Sequence, residues 1–207
     1  MHKTIAIAGN IGAGKSSLVD FLARQYNIQP FYEPNDENPY LPGFYEDMRK
    51  WAFHSQIYFL GSKFRLHQTL DKTEGAVALD RTIFEDAEIF ATALHQMRHI
   101  DKRDWATYRN FYDSILEAIA PPDLLIYLRC PMRSLRKRIK LRGREMEQAI
   151  SPAYLKRLER LYEHWIESYT MSEVLVIDTS YINYVDDIVD QLDVMQRVEQ
   201  VCHVKLR

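Results

Sequence analysis

Nine residues near the start of the chain, Gly9-Asn10-Ile11-Gly12-Ala13-Gly14-Lys15-Ser16-Ser17, combine three glycines with a lysine and two hydroxyls. The first eight fit G-x-x-x-x-G-K-[ST], with an apolar run before them and a helical pattern after. Glycines let successive backbone N–H groups curl around phosphate oxygens. The helix that follows turns its positive end toward the anion. Lys15 can then reach the β and γ phosphates, and the Ser16 hydroxyl can ligate Mg²⁺. This stretch is read as the seat of a nucleoside triphosphate; it leaves the phosphate acceptor open.

Two further groups could work on that phosphate. An apolar run ends in Leu79-Asp80-Arg81-Thr82. Asp80 could hold Mg²⁺, directly or through water, or could cap the helix starting near Ile83, and Arg81 could neutralise a transferring phosphate. Glu33 follows another apolar run. In a parallel sheet, ligands gather at the carboxyl ends of the strands, which would bring Glu33 and Asp80-Arg81 to the rim of the phosphate loop. A carboxylate there can accept or orient the proton of an attacking hydroxyl. Residues 132–144 carry Arg133, Arg136, Lys137, Arg138, Lys140, Arg142 and Arg144. Arg138 and Arg142, four apart, share a helical face, and Gly143 permits a break. Such a segment suits a short Arg-rich lid at about 137–149. No aromatics are interleaved among these basic residues, as a nucleic-acid groove would want.

The elements that must position these groups can be read from the apolar pattern. Short runs at Thr4–Ala8, 77–79, 124–128 and 174–177, with a weaker one at 29–32, read as buried parallel strands. Helical patterns occupy Lys15–Tyr26, 49–70, 83–95, 105–120, 132–141, 152–170 and 186–198. Residues 35–43 read as a polar loop. Strands alternating with helices predict an α/β fold: a P-loop NTPase three-layer sandwich with a five-stranded parallel sheet. No linker divides the 207 residues, so one domain is expected over 1–207.

Composition narrows the function classes. The chain has 27 Lys plus Arg against 29 Asp plus Glu, net −2, which gives no support to bulk attraction by nucleic acid or membrane. Cys130 and Cys202 lie outside any metal-type cluster and fit a reducing compartment. No apolar run approaches the roughly 18 residues of a membrane span, and Met1-His2-Lys3 leads straight into a strand. The expectation is a cytoplasmic protein.

Taken in order, GNIGAGKSS, Glu33-Pro34, Asn38-Pro39-Tyr40-Leu41 with Phe44-Tyr45, Trp51-Ala52-Phe53-His54-Ser55-Gln56, Asp80-Arg81-Thr82-Ile83-Phe84-Glu85-Asp86 and Arg142-Gly143-Arg144-Glu145-Met146-Glu147 resemble the deoxynucleoside kinase family, over about residues 3–178. The likeness is strongest to the bacterial deoxyadenosine and deoxyguanosine kinases. The resemblance implies ATP-dependent phosphorylation of the 5′-hydroxyl of a deoxynucleoside. It implies that Glu33 takes the hydroxyl proton, although Asp80 is an alternative acceptor. Arg81 would stand beside Glu33 and the transferred phosphate. Tyr45 and Glu147 would hold the 3′-hydroxyl, Gln56 would read the base and Phe90 would stack on it. Arg138, Arg142 and Arg144 would be the lid arginines. A Gln amide offers a donor and an acceptor, which suits an amide or amidine edge.

Thr82 stands where the family has serine, and residues 35–38 lack the tryptophan of the animal enzymes. Lys63, seven residues after Gln56, and Asp86 are expected to face the base edge and favour purines over thymidine, or else to form an ordinary ion pair. The family also implies a homodimer, toward which the aromatic-rich patterns 49–70 and 105–120 contribute modestly. The competing enzymatic reading is a nucleoside monophosphate kinase of thymidylate type; the non-enzymatic one is a structural relative.

Overall fold

In the computed structural model, which describes residues 4–70, 72–182, 184 and 187–202, the apolar runs become five parallel strands. They are β1 (Thr4–Ala8), β2 (Gln29–Phe31), β3 (Val77–Asp80), β4 (Leu124–Arg129) and β5 (Glu173–Asp178), in spatial order β2-β3-β1-β4-β5. β1 lies at the centre, with Ile5 opposite Ala78 on one side and Leu124 on the other. Strands covered on both faces have no need to alternate apolar with polar, which is why these read as continuous apolar runs.

Alternate residues of β1 feed two separate cores. Ile5 and Ile7 pack on one face with α1 (Lys15–Tyr26) and α9 (Ile188–Cys202), around Leu18, Leu22 and Val194. Ala6 and Ala8 face a larger core built on α3 (Met48–Leu70), α6 (Lys102–Leu116) and α8 (Pro152–Ser168). The third-layer expectation is therefore met, with the sheet between two helical layers.

Several elements depart from the sequence reading. The polar loop contains a 3₁₀ turn at Asn35–Glu37 and then a short helix α2 (Leu41–Glu46), whose Leu41 and Phe44 are buried. Pro42 near its start obscured that helix, although proline is at home in a first turn. The helix expected at 83–95 is α4 (Ile83–Glu85), a π turn (Asp86–Ala91) and α5 (Thr92–Gln96). α6 starts earlier than expected because Asp101 caps it, accepting from the Asp104 N–H. α7 (Met132–Arg142) ends at Gly143, with φ 69°, and a 3₁₀ turn (Glu145–Ala149) leads to α8. The start of the pattern at 186–198 lies partly outside the described residues.

Candidate active site

The phosphate loop leaves the end of β1 and enters α1. Gly12 (φ 81°) and Gly14 (φ 103°) adopt left-handed backbone, and a Cβ at Gly12 would stand 2.9 Å from Ile139 Cγ1 and 3.0 Å from the Leu135 carbonyl. Asn10 braces the loop: its amide donates to the Leu155 carbonyl at 3.0 Å while its Oδ1 accepts from the Ile11 N–H. Lys15 is buried, and its Nζ donates to the Asn10 carbonyl at 3.2 Å. Burial, with Arg81 adding repulsion, lowers its pKa to about 8. The Ser16 hydroxyl donates to Asp80 Oδ2 at 2.5 Å, and Asp80 Oδ1 is buried without a hydrogen-bond partner. A hydroxyl beside a carboxylate with a spare buried oxygen is a donor set suited to Mg²⁺. Asp80 does not cap the next helix; Thr82 does, in a capping box with Glu85.

Arg81 sits just past β3 with φ 70°, its N–H donating to the Ile7 carbonyl at 3.0 Å. Its NH1 donates to both Glu33 oxygens, at 2.8 and 2.7 Å, and its guanidinium lies 4.2 Å from the Phe90 ring centroid. Lys63 Nζ lies 3.4 Å from Glu33 Oε1. Burial alone would raise the Glu33 pKa, but Arg81, Lys63 and Lys15 overwhelm it and hold the carboxyl well below its usual range. One cavity is lined by Glu33, Arg81, Asp80, Lys15 and Ser16 together with Tyr45, Gln56, Asp86, Phe90, Arg142, Arg144 and Glu147. A second opening runs along Gly14, Lys15, Ser16 and Ser17 to Arg138, Arg142, Arg144, Ile182 and Tyr184. The two share Gly12, Lys15, Ser16, Arg142 and Arg144, so two bound molecules would meet at the phosphate loop.

Residues 5–203 match the family model described as deoxynucleoside kinase. The chain belongs to the deoxynucleoside kinase family. It is 36% identical over 199 residues to the deoxyadenosine/deoxycytidine kinase of Bacillus subtilis, covering 92% of each chain. It is 34% identical to a deoxyguanosine kinase of Lactobacillus johnsonii, covering 94% of this chain and 90% of the other. Among solved structures, deoxyadenosine kinase from M. mycoides with bound dATP superposes with TM-score 0.82 at 30% identity, covering 96% of this chain and all of that one.

The chain is thus a deoxynucleoside kinase with a P-loop NTPase fold. The first cavity brings together nearly every residue expected around the acceptor. Gln56 is buried and its Oε1 has no hydrogen-bond partner. The π turn puts Asp86 and Phe90, four residues apart, on the cavity wall. Burial first, then Glu33, raises the Asp86 pKa to about 6 against the opposing pull of Lys63. Of the two readings of Lys63 the ion pair is the one seen: the residue is 1% exposed, does not line the cavity, and lies 3.0 Å from Asp86 Oδ2. It also donates to the Thr82 carbonyl at 3.3 Å. Glu147 lines the cavity near Tyr45 while pairing with Arg142 and, at 3.4 Å, with Arg144. Burial and then Glu147 push the Tyr45 hydroxyl pKa upward. Arg138 donates to the Ala13 carbonyl at 2.9 Å and lines only the second opening.

Sequence reasoning did not single out Tyr154, which lines the first cavity from α8, or Tyr184, whose hydroxyl donates to the Gly14 carbonyl at 2.8 Å. Neither carries a motif; only the packing of distant segments reveals them.

Proposed function

We propose that the chain transfers the γ-phosphate of Mg²⁺–ATP to the 5′-hydroxyl of a deoxynucleoside, with purine deoxynucleosides preferred, as a step in nucleotide salvage. The observation that carries this reading is the Glu33–Arg81 pair, which lines one cavity with both Lys15 and the unpartnered amide oxygen of Gln56.

The acceptor hydroxyl oxygen forms a bond to Pγ while the bridging bond from Pγ to the β-phosphate oxygen breaks, and ADP leaves. Glu33 takes the hydroxyl proton. Asp80 is assigned instead to the cation, because the Ser16 hydroxyl beside it and its own unpartnered Oδ1 make a donor set suited to Mg²⁺. The strongly depressed pKa of Glu33 makes it a weak base, but a loose transition state asks more for orientation than for basicity. Arg81, held by Glu33 and Phe90, neutralises charge on the moving phosphoryl group. Lys15 and the loop N–H groups hold the donor phosphates, and Arg138, Arg142 and Arg144 close on them from the lid. Ser16 and Asp80 would hold Mg²⁺, which neutralises phosphate charge when bound. Gln56 and Asp86 read the base edge, Phe90 stacks on it, and Tyr45 with Glu147 holds the 3′-hydroxyl. Lys63 serves from behind, keeping Asp86 and Glu33 oriented.

An acceptor already bearing a 5′-phosphate would bring its anion to the Glu33 carboxylate, which disfavours the thymidylate-type reading. The chain acts as one catalytic unit in a homodimer packed through α3 and α6, where Phe111 is exposed. Its place is the cytoplasm; among the described residues no helix is long and apolar enough to cross a membrane.

The test is ADP formation from Mg²⁺–ATP with deoxyadenosine, deoxyguanosine, deoxycytidine, thymidine, adenosine and thymidine monophosphate offered separately. Turnover with purine deoxynucleosides supports the reading. Turnover confined to the monophosphate contradicts it.

A further inference from the structure

Glu85 is fully buried, yet it lines neither opening. Its carboxylate draws donors from three separate parts of the chain. Oε2 accepts from the Thr82 N–H at 2.8 Å and from the Thr82 hydroxyl at 3.1 Å. Oε1 accepts from the Tyr162 hydroxyl of α8 at 2.9 Å and from the N–H of Gly9, the first residue of the phosphate loop, at 3.3 Å. Oε1 also stands 3.9 Å from Arg81 Nε, itself buried with no hydrogen-bond partner.

The bonds within residues 82–85 are those of a capping box and need no further explanation. Those to Gly9 and Tyr162 go beyond it. A helix cap could be made by a Thr82 hydroxyl alone, without burying an anion. Taking a carboxylate fully out of water costs several kcal/mol unless every lone pair is engaged. Here the engaged donors surround Arg81. This arginine has left-handed backbone, a conformation strained for any residue but glycine. Its guanidinium is bounded by Glu33 at NH1, by the Phe90 ring on one face and by Glu85 at Nε.

We infer that Glu85 is a positioning residue for phosphoryl transfer: it ties the turn carrying Arg81 to the first residue of the phosphate loop and to α8, and so fixes the guanidinium relative to the donor phosphates. The inference rests on the kinase reading above. Glu85 touches neither substrate; it acts through Arg81 and Gly9. Asn10 makes a second tie from the same loop to α8, at the Leu155 carbonyl, so loop, turn and α8 move as one body.

This assigns Glu85 an effect on kcat rather than on nucleoside binding, because its carboxylate bonds to Thr82, Gly9 and Tyr162, while Asp86 is held by Lys63 and Gln56 and Tyr45 stand on other helices, α3 and α2. The experiment compares wild type, Glu85→Gln, Arg81→Lys and the double variant, with kcat and nucleoside KM measured for each and folding checked by circular dichroism. A glutamine turns an NH₂ group toward donors that want an acceptor. Loss of a charge-assisted bond predicts that kcat falls about 30-fold with KM within about 2-fold. In the Arg81→Lys background the same change lowers kcat by no more than about 3-fold, since the group Glu85 positions is already gone. Equal losses in both backgrounds, a loss confined to KM, or an unchanged kcat overturns the inference. If Glu85→Gln does not fold, Tyr162→Phe removes one donor from the carboxylate and lowers kcat about 5-fold, by the same mechanism; an unchanged kcat there overturns the inference too. An inactive wild type would instead contradict the kinase reading itself.

Discussion

Arg81 donates through one nitrogen to both oxygens of Glu33, at 2.8 and 2.7 Å, inside a cavity that the phosphate-loop lysine also lines. The pair joins the two strand ends on which the proposed chemistry depends. Lys63 and Lys15 add positive charge around the same carboxylate, so Glu33 is held by three cations.

That arrangement predicts that Glu33→Gln loses both activity and stability. Removing a positioned proton acceptor should lower kcat by about 10²–10⁴-fold. Leaving Arg81 and Lys63 with less counter-charge in a buried site should cost on the order of 3 kcal/mol, read as a lower Tm. The sign with pH follows from the depressed pKa of Glu33. Its stabilisation is fully present above its ordinary value of 4.5 and is lost as pH falls toward the folded-state value. Wild type should therefore lose stability more steeply below that pH than Glu33→Gln, in melts taken across the acid range.

Lys15 gives a prediction at the alkaline end. Its pKa is lowered to about 8, so in the free enzyme its charge is lost as pH rises through that value. The logarithm of kcat/KM for ATP should bend downward above about pH 8, since that ratio reports the free enzyme. A flat profile to pH 9.5 would count against Lys15 as the phosphate-binding cation.

If Asp86 reads the base as proposed, it sets the acid limb for the acceptor. With a pKa raised to about 6, it takes up a proton below that pH, loses its charge and becomes a weaker acceptor for a base amino group. The value of kcat/KM for deoxyadenosine should fall as pH drops through 6, and Asp86→Ala should flatten that limb. The same variant should shift the purine-to-pyrimidine ratio of kcat/KM by about 10-fold, the worth of one buried hydrogen-bond partner. An unchanged ratio would remove Asp86 from base selection.

Gly12→Ala tests the backbone of the phosphate loop. The new Cβ would meet Ile139 and the Leu135 carbonyl at about van der Waals overlap, in a left-handed conformation that itself costs about 1–2 kcal/mol. Tm should fall, and ATP affinity, measured by calorimetry, should drop by at least about 10-fold because the loop N–H groups lose their alignment.

Much of this site was readable in the sequence because its chemistry is carried by short, contiguous motifs. Glycine spacing announced the phosphate loop, and apolar runs announced the strands that end beside it. The sheet order was not readable, since nothing local in 29–31 states that β2 pairs with β3 on the outer edge. The π turn was hidden because its residues follow an ordinary helical pattern, and only the packing of Asp86 and Phe90 against the cavity reveals the wider turn. Lys63 illustrates the same limit. Helical spacing put it on the face of Gln56, but its short reach to Asp86, Glu33 and the Thr82 carbonyl draws it beneath the cavity. The reach of Glu85 was not legible, because its partners Gly9 and Tyr162 lie 76 and 77 residues away.

The most direct measurement is identification of the product. The enzyme is incubated with Mg²⁺–ATP and deoxyadenosine, and the phosphorylated product is examined by ³¹P NMR for coupling to the 5′ protons, with Glu33→Gln run in parallel. The account predicts deoxyadenosine 5′-monophosphate from wild type and, in the same time, at most about one hundredth as much from the variant. Phosphate on the 3′-hydroxyl, or equal product from both proteins, would contradict it.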